Sequence, residues 1–253
     1  MPFVDNTRLL VKSGMTGATG NIYCGLHEFE DMAFVLHLLR PGDLFVDVGA
    51  NIGSYSILGA AAGATVISFE PVPSTFEWLL DNVHLNRFQT RIDARNLAVG
   101  ASSATIRMIA DRDTTNQVLQ QGASYAGASL DVQQVALDDA LPHVPKLIKI
   151  DVEGFEANVI EGGRRLLADR SLHAVVMELN GSGEQFGNGD DHVLNAMRSF
   201  GFTPCNYDPL KRRLTVLTGK SQTTGNTLFV RSPESAQALV ASSRTFGVQG
   251  CLV

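Results

Sequence analysis

Two acids and two glycines, by their types and spacing, carry the first legible chemistry in this chain. The apolar run Leu44-Phe45-Val46 ends in Asp47, and a turn holding Gly49 and Gly53 follows. Ser54 to Ala62 is rich in small residues and reads as a helix. A second apolar run, Thr65 to Phe69, ends in Glu70, 21 residues after Gly49. Strand, glycine turn, helix, strand and then an acid about 20 residues on is how a Rossmann-like unit holds an adenosine ribose. The glycines let the backbone come close to the ligand, and the carboxylate accepts hydrogen bonds from the ribose hydroxyls. One glycine alone would mean no more than a strand-to-helix turn. The complete spacing with Glu70 favours the nucleoside.

The spelling of the turn selects among nucleoside ligands. A dinucleotide site wants G-x-G-x-x-G, whose second glycine makes room for a pyrophosphate. Here Asn51 stands in that second position and Ser54 in the third. Asn51 can hydrogen-bond a ligand but would crowd a pyrophosphate. The D-x-G-x-N-x-G spelling resembles the first motif of S-adenosylmethionine (SAM) methyltransferases. Such a ligand presents a methionine ammonium, which suits Asp47, and a carboxylate, which suits the N–H groups of the turn.

Elements must be found to position these groups. Apolar segments at 44–46, 65–69, 91–97, 147–150 and 174–177 read as five strands, with helices between them. Phe29, Met32, Ala33, Leu36 and Leu39 recur at helical spacing before Pro41-Gly42. Phe76, Leu79, Leu80 and Val83 do the same, with Ser74 and Glu77 spaced as a capping box. Leu214–Leu217 and Asn226–Val230 fit a closing antiparallel hairpin. The expected fold is α/β: a doubly wound Rossmann-like sheet with helices on both faces and a terminal antiparallel hairpin. Residues 101–140 break the alternation and read as a strand-rich insertion, with Ala104–Ile109 and Leu130–Leu137 as strands and Gly122–Ala128 as a small, polar loop. Residues 1–20, polar and dotted with glycine, read as a loose N-terminal arm, which leaves 21–253 as one domain.

Composition removes several function classes. The formal net charge is −6 and no long Lys/Arg run occurs, which argues against a nucleic-acid partner. No segment approaches the ~20 apolar residues of a membrane span, and the first residues lack the pattern of a signal peptide. A cytoplasmic protein without a membrane partner is expected, and a homo-oligomer is left open. Cys24, Cys205 and Cys251 are far apart and form no C-x-x-C pair, so free thiols are expected rather than disulfides or a cysteine zinc site.

In open α/β sheets ligands sit beyond the carboxyl ends of the strands. The five expected strands lead into Asp47, Glu70, the Asn96–Val99 stretch, Asp151 and Glu178. Four acids on one edge exceed what a structural sheet needs, and they suit a cationic, hydroxyl-rich ligand such as a sulfonium nucleoside.

Five segments, Phe45–Ser56, Phe69–Pro71, Asp81–Asn86, Leu97–Gly100 and Leu147–Glu156, together resemble the FkbM family of SAM-dependent methyltransferases. The family pattern reads D-V-G-A-N-x-G-x-x-S, E-P, N-x-x-L-N, A-V-G and I-K-x-D-V-E-G-x-E. Tyr23–Glu30 resembles its short aromatic-acidic motif through Glu28. The likeness covers roughly residues 22–180. Phe155 replaces a residue that is usually small, and 101–136 match no part of the pattern. The resemblance implies a class I methyltransferase sheet that transfers methyl from SAM, usually to a hydroxyl on a sugar, polyketide or other natural product. It also implies that Glu28, Pro71, Asn96, Ala98 and Asp151 join Asp47, Gly49, Asn51, Gly53, Ser54 and Glu70 around the cofactor. The acceptor is then a small molecule or glycan.

Methyl transfer needs alignment of nucleophile and methyl, and an alcohol needs a base to take its proton. Asp151 is the best placed candidate, with Glu153 beside it and His27 able to reach over the cofactor from the start of the first long helix. Glu156 lies where an acid also favours the helix dipole. Lys149 alternates with Ile148 and Ile150, so it faces away from them and is expected to pair with an acid inside the fold. Asp151, Glu178 and Asn180 also fall where catechol-type O-methyltransferases hold a metal, and oxygen ligands would suit magnesium. Two other readings stand beside this one. An NAD(P)-dependent oxidoreductase is disfavoured by the missing glycines and the absence of a Tyr-x-x-x-Lys pair. A SAM-binding protein without catalysis is disfavoured by the presence of Asp47, Glu70 and Asp151 together.

Overall fold

A computed structural model describes residues 1–12, 16–109, 116–119 and 125–253, the side chains of 16–19 excepted. In chain order the elements are α1 (Thr16–Cys24), α2 (Phe29–Leu38), β1 (Leu44–Val48), α3 (Ser54–Ala62), β2 (Thr65–Phe69), α4 (Pro73–Leu85), β3 (Ile92–Arg95), β4 (Ala98–Val99), β5 (Ala104–Ile109), β6 (Ser129–Val135), β7 (Leu147–Ile150), β8 (Ala174–Glu178), β9 (Thr203–Asp208), β10 (Arg213–Val216) and β11 (Asn226–Val230). Short helices at Leu137–Ala140, Glu156–Gly162, Arg164–Ala168, Asp190–Ser199 and Pro233–Ala241 fill the connections.

β1 is fully buried and sorts the core into two layers. Successive strand side chains point to opposite faces. Phe45 therefore packs with α2, α3 and the N-terminal residues, while Leu44, Val46 and Val48 pack with the helices that follow β7 and β8. The main sheet has the order β10-β9-β11-β8-β7-β1-β2-β3. β3, β2, β1, β7 and β8 are parallel, and β11, β9 and β10 continue antiparallel. Such a sheet, with helices on both faces, is the doubly wound α/β architecture that the alternation of strand and helix demands.

A terminal antiparallel hairpin is present, but its strands are β9 and β10; β11 is inserted between β8 and β9 rather than paired with β10. Pro204 and Asn206 disguise β9 in the sequence, although Pro204, Cys205 and Tyr207 are all buried. The capping box at Ser74 does not form either. Pro73 occupies the first helical position, where its fixed φ is already helical, so the cap is Val72, two residues before Ser74.

Of the N-terminal arm expected to be loose, residues 1–12 are packed. Phe3, Val4 and Leu9 are buried in the main core. The side chain of Asn86 accepts from Arg8 N at 2.8 Å and donates to Arg8 O at 2.7 Å, while Asn82 Oδ1 accepts from Leu10 N at 2.6 Å. Asn82 also donates to Ile52 O at 2.9 Å, which ties the glycine turn to the same clamp. The insertion supplies β5 and β6, which join β4 in a separate three-stranded sheet, β4-β6-β5, around Ala98, Met108 and Val132. Residues 122–124 of its expected loop lie outside the described residues. Cys24 and Cys251 are exposed, Cys205 is buried, and all three are free thiols. Among the described residues no helix is long and apolar enough to cross a membrane.

Candidate active site

From β1 the chain runs to β2 and β3 on one side, then crosses to β7 and β8 on the other. β1 is thus the topological switch point, and a crevice at its carboxyl end follows. A cavity of about 260 Å³ opens there, lined from the ends of β1, β2, β7 and β8, from the segment before α2 and from the insertion.

The glycine turn forms one wall. Gly49 has φ +75° and a Cβ there would run into the carbonyl oxygen of Asp151, so only glycine lets the two strand ends meet. Gly49 N and Ala50 N both donate to Phe69 O, at 3.0 and 2.9 Å. Asn51 N then donates to Glu70 Oε2 and Val72 N to Glu70 Oε1, both at 2.9 Å. Glu70 is 6% exposed, and burial pushes its carboxyl up to about 7 against the pull of those two N–H groups. Asn96 stands behind it, donating to Glu70 O at 2.8 Å and Pro71 O at 3.0 Å. Around Glu70 the lining is apolar: Phe69, Val72, Leu97, Val99 and, from the insertion, Met108 and Val118. A carboxylate fixed by backbone beside an apolar slot can hold a ribose and its flat base.

The opposite wall is acidic around one cation. Lys149 Nζ lies 2.8 Å from Asp151 Oδ2 and 4.7 Å from the centre of the Tyr55 ring. Burial lowers the Lys149 pKa, but Asp151, Asp47 and Glu28 more than offset this and it stays raised, so the ammonium is kept. Asp151, Glu153 and Glu178 each bring a carboxylate oxygen within 4.8 Å of the others. Burial and then the Asp151 charge push Glu153 up to about 7. The same causes, with Glu153 added, push Glu178 well above the usual carboxylate range. Glu178 Oε2 is buried without a partner among the described residues. Glu156 is turned away from this group. It accepts from Val152 N and Gly154 N, at 3.3 and 3.2 Å, and so holds the D-V-E-G turn in which Glu153 has φ +53°.

The cavity brings together His27, Glu28, Gly49, Asn51, Ser54, Glu70, Pro71, Ala98, Asp151 and Glu153. Asp47, Gly53 and Asn96 are not in its lining. Asp47 is 0% exposed and its Oδ2 accepts from Ser56 Oγ at 2.6 Å, because it shares the face of Phe45 and lies under α3. Gly53, at φ +91°, starts α3 against Leu79. The side-chain oxygen of Asn51 is spent on Ile52 N at 2.7 Å, so what it offers the cavity is its amide nitrogen. Asn180 is not with the acids; it accepts from Ser182 N at 2.9 Å, and Glu153 takes the place expected for it. Lys149 faces away from Ile148 and Ile150 and is paired with an acid, as the alternation implied. Its place in the cavity went unread, although positions 149 and 151 share a strand face. Tyr55 was also missed; its hydroxyl donates to Glu28 Oε2 at 2.6 Å.

Comparison with known proteins agrees with this geometry. The family described as "Methyltransferase FkbM domain" matches residues 47–204, more than half of the chain. The hexuronic acid methyltransferase AglP of Haloferax volcanii is 28% identical over 160 residues, which cover 60% of this chain and 62% of AglP. The 31-O-demethyl-FK506 methyltransferase FkbM of Streptomyces tacrolimicus is 28% identical over 220 residues, 72% of this chain and 82% of the relative. The crystal structure of methyltransferase FkbM from Methylobacillus flagellatus KT shares the fold, with a TM-score of 0.51 at 18% identity over 76% of this chain and 45% of that one. The chain thus spans under two thirds of AglP and under half of the Methylobacillus protein.

Proposed function

The chain belongs to the FkbM family of SAM-dependent methyltransferases, and from that premise we propose that it methylates a hydroxyl group on a small-molecule natural product or sugar. One observation carries the hydroxyl reading: Asp151, held by Lys149, lies with Glu153 and Glu178 in the same cavity as Glu70. The residues fit the cofactor. Gly49 leaves bare backbone, and Glu70 offers a carboxylate on a fixed turn. When bound, SAM supplies a methyl group on a positively charged sulfur, so the chain has to align the acceptor and take its proton.

Lys149 takes Asp151 Oδ2, which leaves Oδ1 as the oxygen that receives the proton of the attacking hydroxyl. The proton then leaves from Asp151 to solvent. Glu153 and Glu178, both raised by burial and by Asp151, hold protons near neutral pH and can donate to neighbouring hydroxyls as well as accept from them. That mixture suits a polyol. It disfavours an acceptor whose own negative charge lies against this wall. The names of the two relatives, one acting on a hexuronic acid and one on an O-demethylated product, support a sugar or natural-product acceptor.

The three acids offer a second reading as ligands of a divalent ion, with oxygen chemistry suited to magnesium. Lys149 already supplies a positive charge to Asp151, which weighs against a second cation there.

Thermal unfolding with S-adenosylhomocysteine, and separately with NAD, opens the test. A ligand at ~100 times its Kd adds ~2.7 kcal/mol, about 5–10 °C for a chain of this size. Mass spectrometry of hydroxylated acceptors incubated with SAM, with and without EDTA, completes it. A shift with S-adenosylhomocysteine and a methyl ether formed in EDTA are the expected results. Methyl found on nitrogen or carbon would overturn the hydroxyl reading, and activity lost to EDTA would favour the ion.

A further inference from the structure

Asn21, in the cavity wall, carries an unexplained donor. It lies in α1 and is 1% exposed, yet it lines the cavity wall. Its Oδ1 accepts from His27 N at 2.9 Å, and its main-chain oxygen accepts from Gln249 Nε2 at 2.9 Å. Its Nδ2, also buried, has no partner among the described residues. A buried amide is almost always hydrogen-bonded, because leaving its N–H groups unpaired costs free energy. Asn21 itself lines the cavity, so a bound molecule can supply the missing partner.

The position of this amide is built. A Cβ at Gly20 would run into the His27 ring, so glycine at 20 lets α1 settle on His27. The Gln249 side chain clasps α1 from outside, donating to Ile22 O as well as to Asn21 O. His27 leads directly to Glu28, whose Oε2 accepts from the hydroxyl of Tyr55, in the first turn of α3. Asn21 is therefore linked to the side of the cavity where α3 begins. The N-terminus of that nine-residue helix favours an anion. Glu28 also stands on that side, its two oxygens taken by Tyr55 and Asn226, whereas the far wall gathers Asp151, Glu153 and Glu178.

We infer that Asn21 is a cofactor-binding residue whose side-chain amide donates to the methionine carboxylate of SAM. The inference rests on the SAM reading and deepens it: the carboxylate lies between α1 and α3, and binding locks α1 onto the cofactor. No sequence signal marks Asn21, a lone asparagine just after the polar, glycine-dotted residues 1–20.

Isothermal titration calorimetry on Asn21→Asp tests it, with S-adenosylhomocysteine and 5′-methylthioadenosine as the two ligands. The second has the nucleoside and sulfur but no amino-acid tail. Aspartate keeps an acceptor for His27 N and the size of the side chain, but replaces the donor by a carboxylate oxygen. Affinity for S-adenosylhomocysteine should fall about tenfold or more, the scale of a hydrogen bond to a charged group, while 5′-methylthioadenosine binds as to the wild type. Unchanged S-adenosylhomocysteine affinity, or equal losses for both ligands, would overturn the assignment. Should the variant fail to fold, Asn21→Ala carries the same comparison, with a smaller loss confined to S-adenosylhomocysteine. Wild-type protein that binds neither ligand would refute the cofactor itself, a result separate from failure of Asn21.

Discussion

The two walls of the cavity hold their carboxylates in opposite ways. At Glu70 both oxygens are taken by backbone N–H groups, from Asn51 and Val72, and these belong to a turn and a helix cap that the chain cannot easily move. At Asp151 the partner is a side chain, Lys149, and the near neighbours are other acids, one with a buried oxygen that has no partner among the described residues. The first arrangement is a rigid acceptor for hydroxyls that do not react. The second gathers three carboxylates, and burial with the Asp151 charge raises Glu153 and Glu178. The proposed division of binding and proton transfer between two ends of one cavity follows the kind of donor each carboxylate meets.

Breaking the second end should have the largest effect. Asp151→Asn removes the proton acceptor but keeps shape and a hydrogen bond, so kcat should fall by ~10²–10⁴, the usual contribution of a general base. S-adenosylhomocysteine affinity should stay within about threefold. A variant that keeps its kcat would move the base elsewhere, with Glu153 and His27 next in line. Lys149→Met removes the cation shared by Asp151 and the fully buried Asp47. Stripping one partner from a buried ion pair typically costs about 3–5 kcal/mol, to be read from the urea midpoint. A smaller loss would mean that Asp47 is neutral in the folded protein and needs no counter-ion.

Sequence and structure diverge along the same division. The turn from Asp47 to Ser54 and the acid at Glu70 were legible because apolar runs and glycines act on their own neighbours. The fate of Asp47 was not. The strand runs on to Val48, which puts Asp47 in mid-strand on the face of Phe45, where Ser56 of α3 meets it. The convergence of Glu153 with Glu178 was hidden for another reason. It depends on the left-handed backbone of the D-V-E-G turn and on the pairing of β7 with β8, whereas the sequence offered Asn180 on spacing alone. The N-terminal segment looked loose because its anchors, Asn82 and Asn86, lie more than 70 residues away and bond to its backbone, leaving no local pattern. β9 was lost to Pro204 in the same way: its place between β11 and β10 is a property of the sheet, not of its own residues.

The smallest effect expected is at the rigid end, and it carries a sign. Burial raises Glu70 to about 7 from 4.5, so between those values the folded protein keeps a proton that the unfolded chain has released. Stability of the unliganded protein should therefore fall as pH rises through that window, by at most about 1.4 kcal/mol per pH unit from this group, and level off above it. Cofactor affinity should run the other way. Ribose hydroxyls donate to the ionised carboxylate, so S-adenosylhomocysteine should bind more weakly as pH drops below about 7 and Glu70 takes up its proton. Glu70→Gln holds the turn through one oxygen but never ionises. It should weaken binding by about 1 kcal/mol at pH 8, the difference between a charged and a neutral acceptor, and should flatten the pH dependence of affinity. Calorimetry at pH 6 and 8 on both proteins decides it. If the wild-type affinity is flat and Glu70→Gln binds equally well, Glu70 serves the turn alone, and the contrast between the two walls reduces to one reactive end.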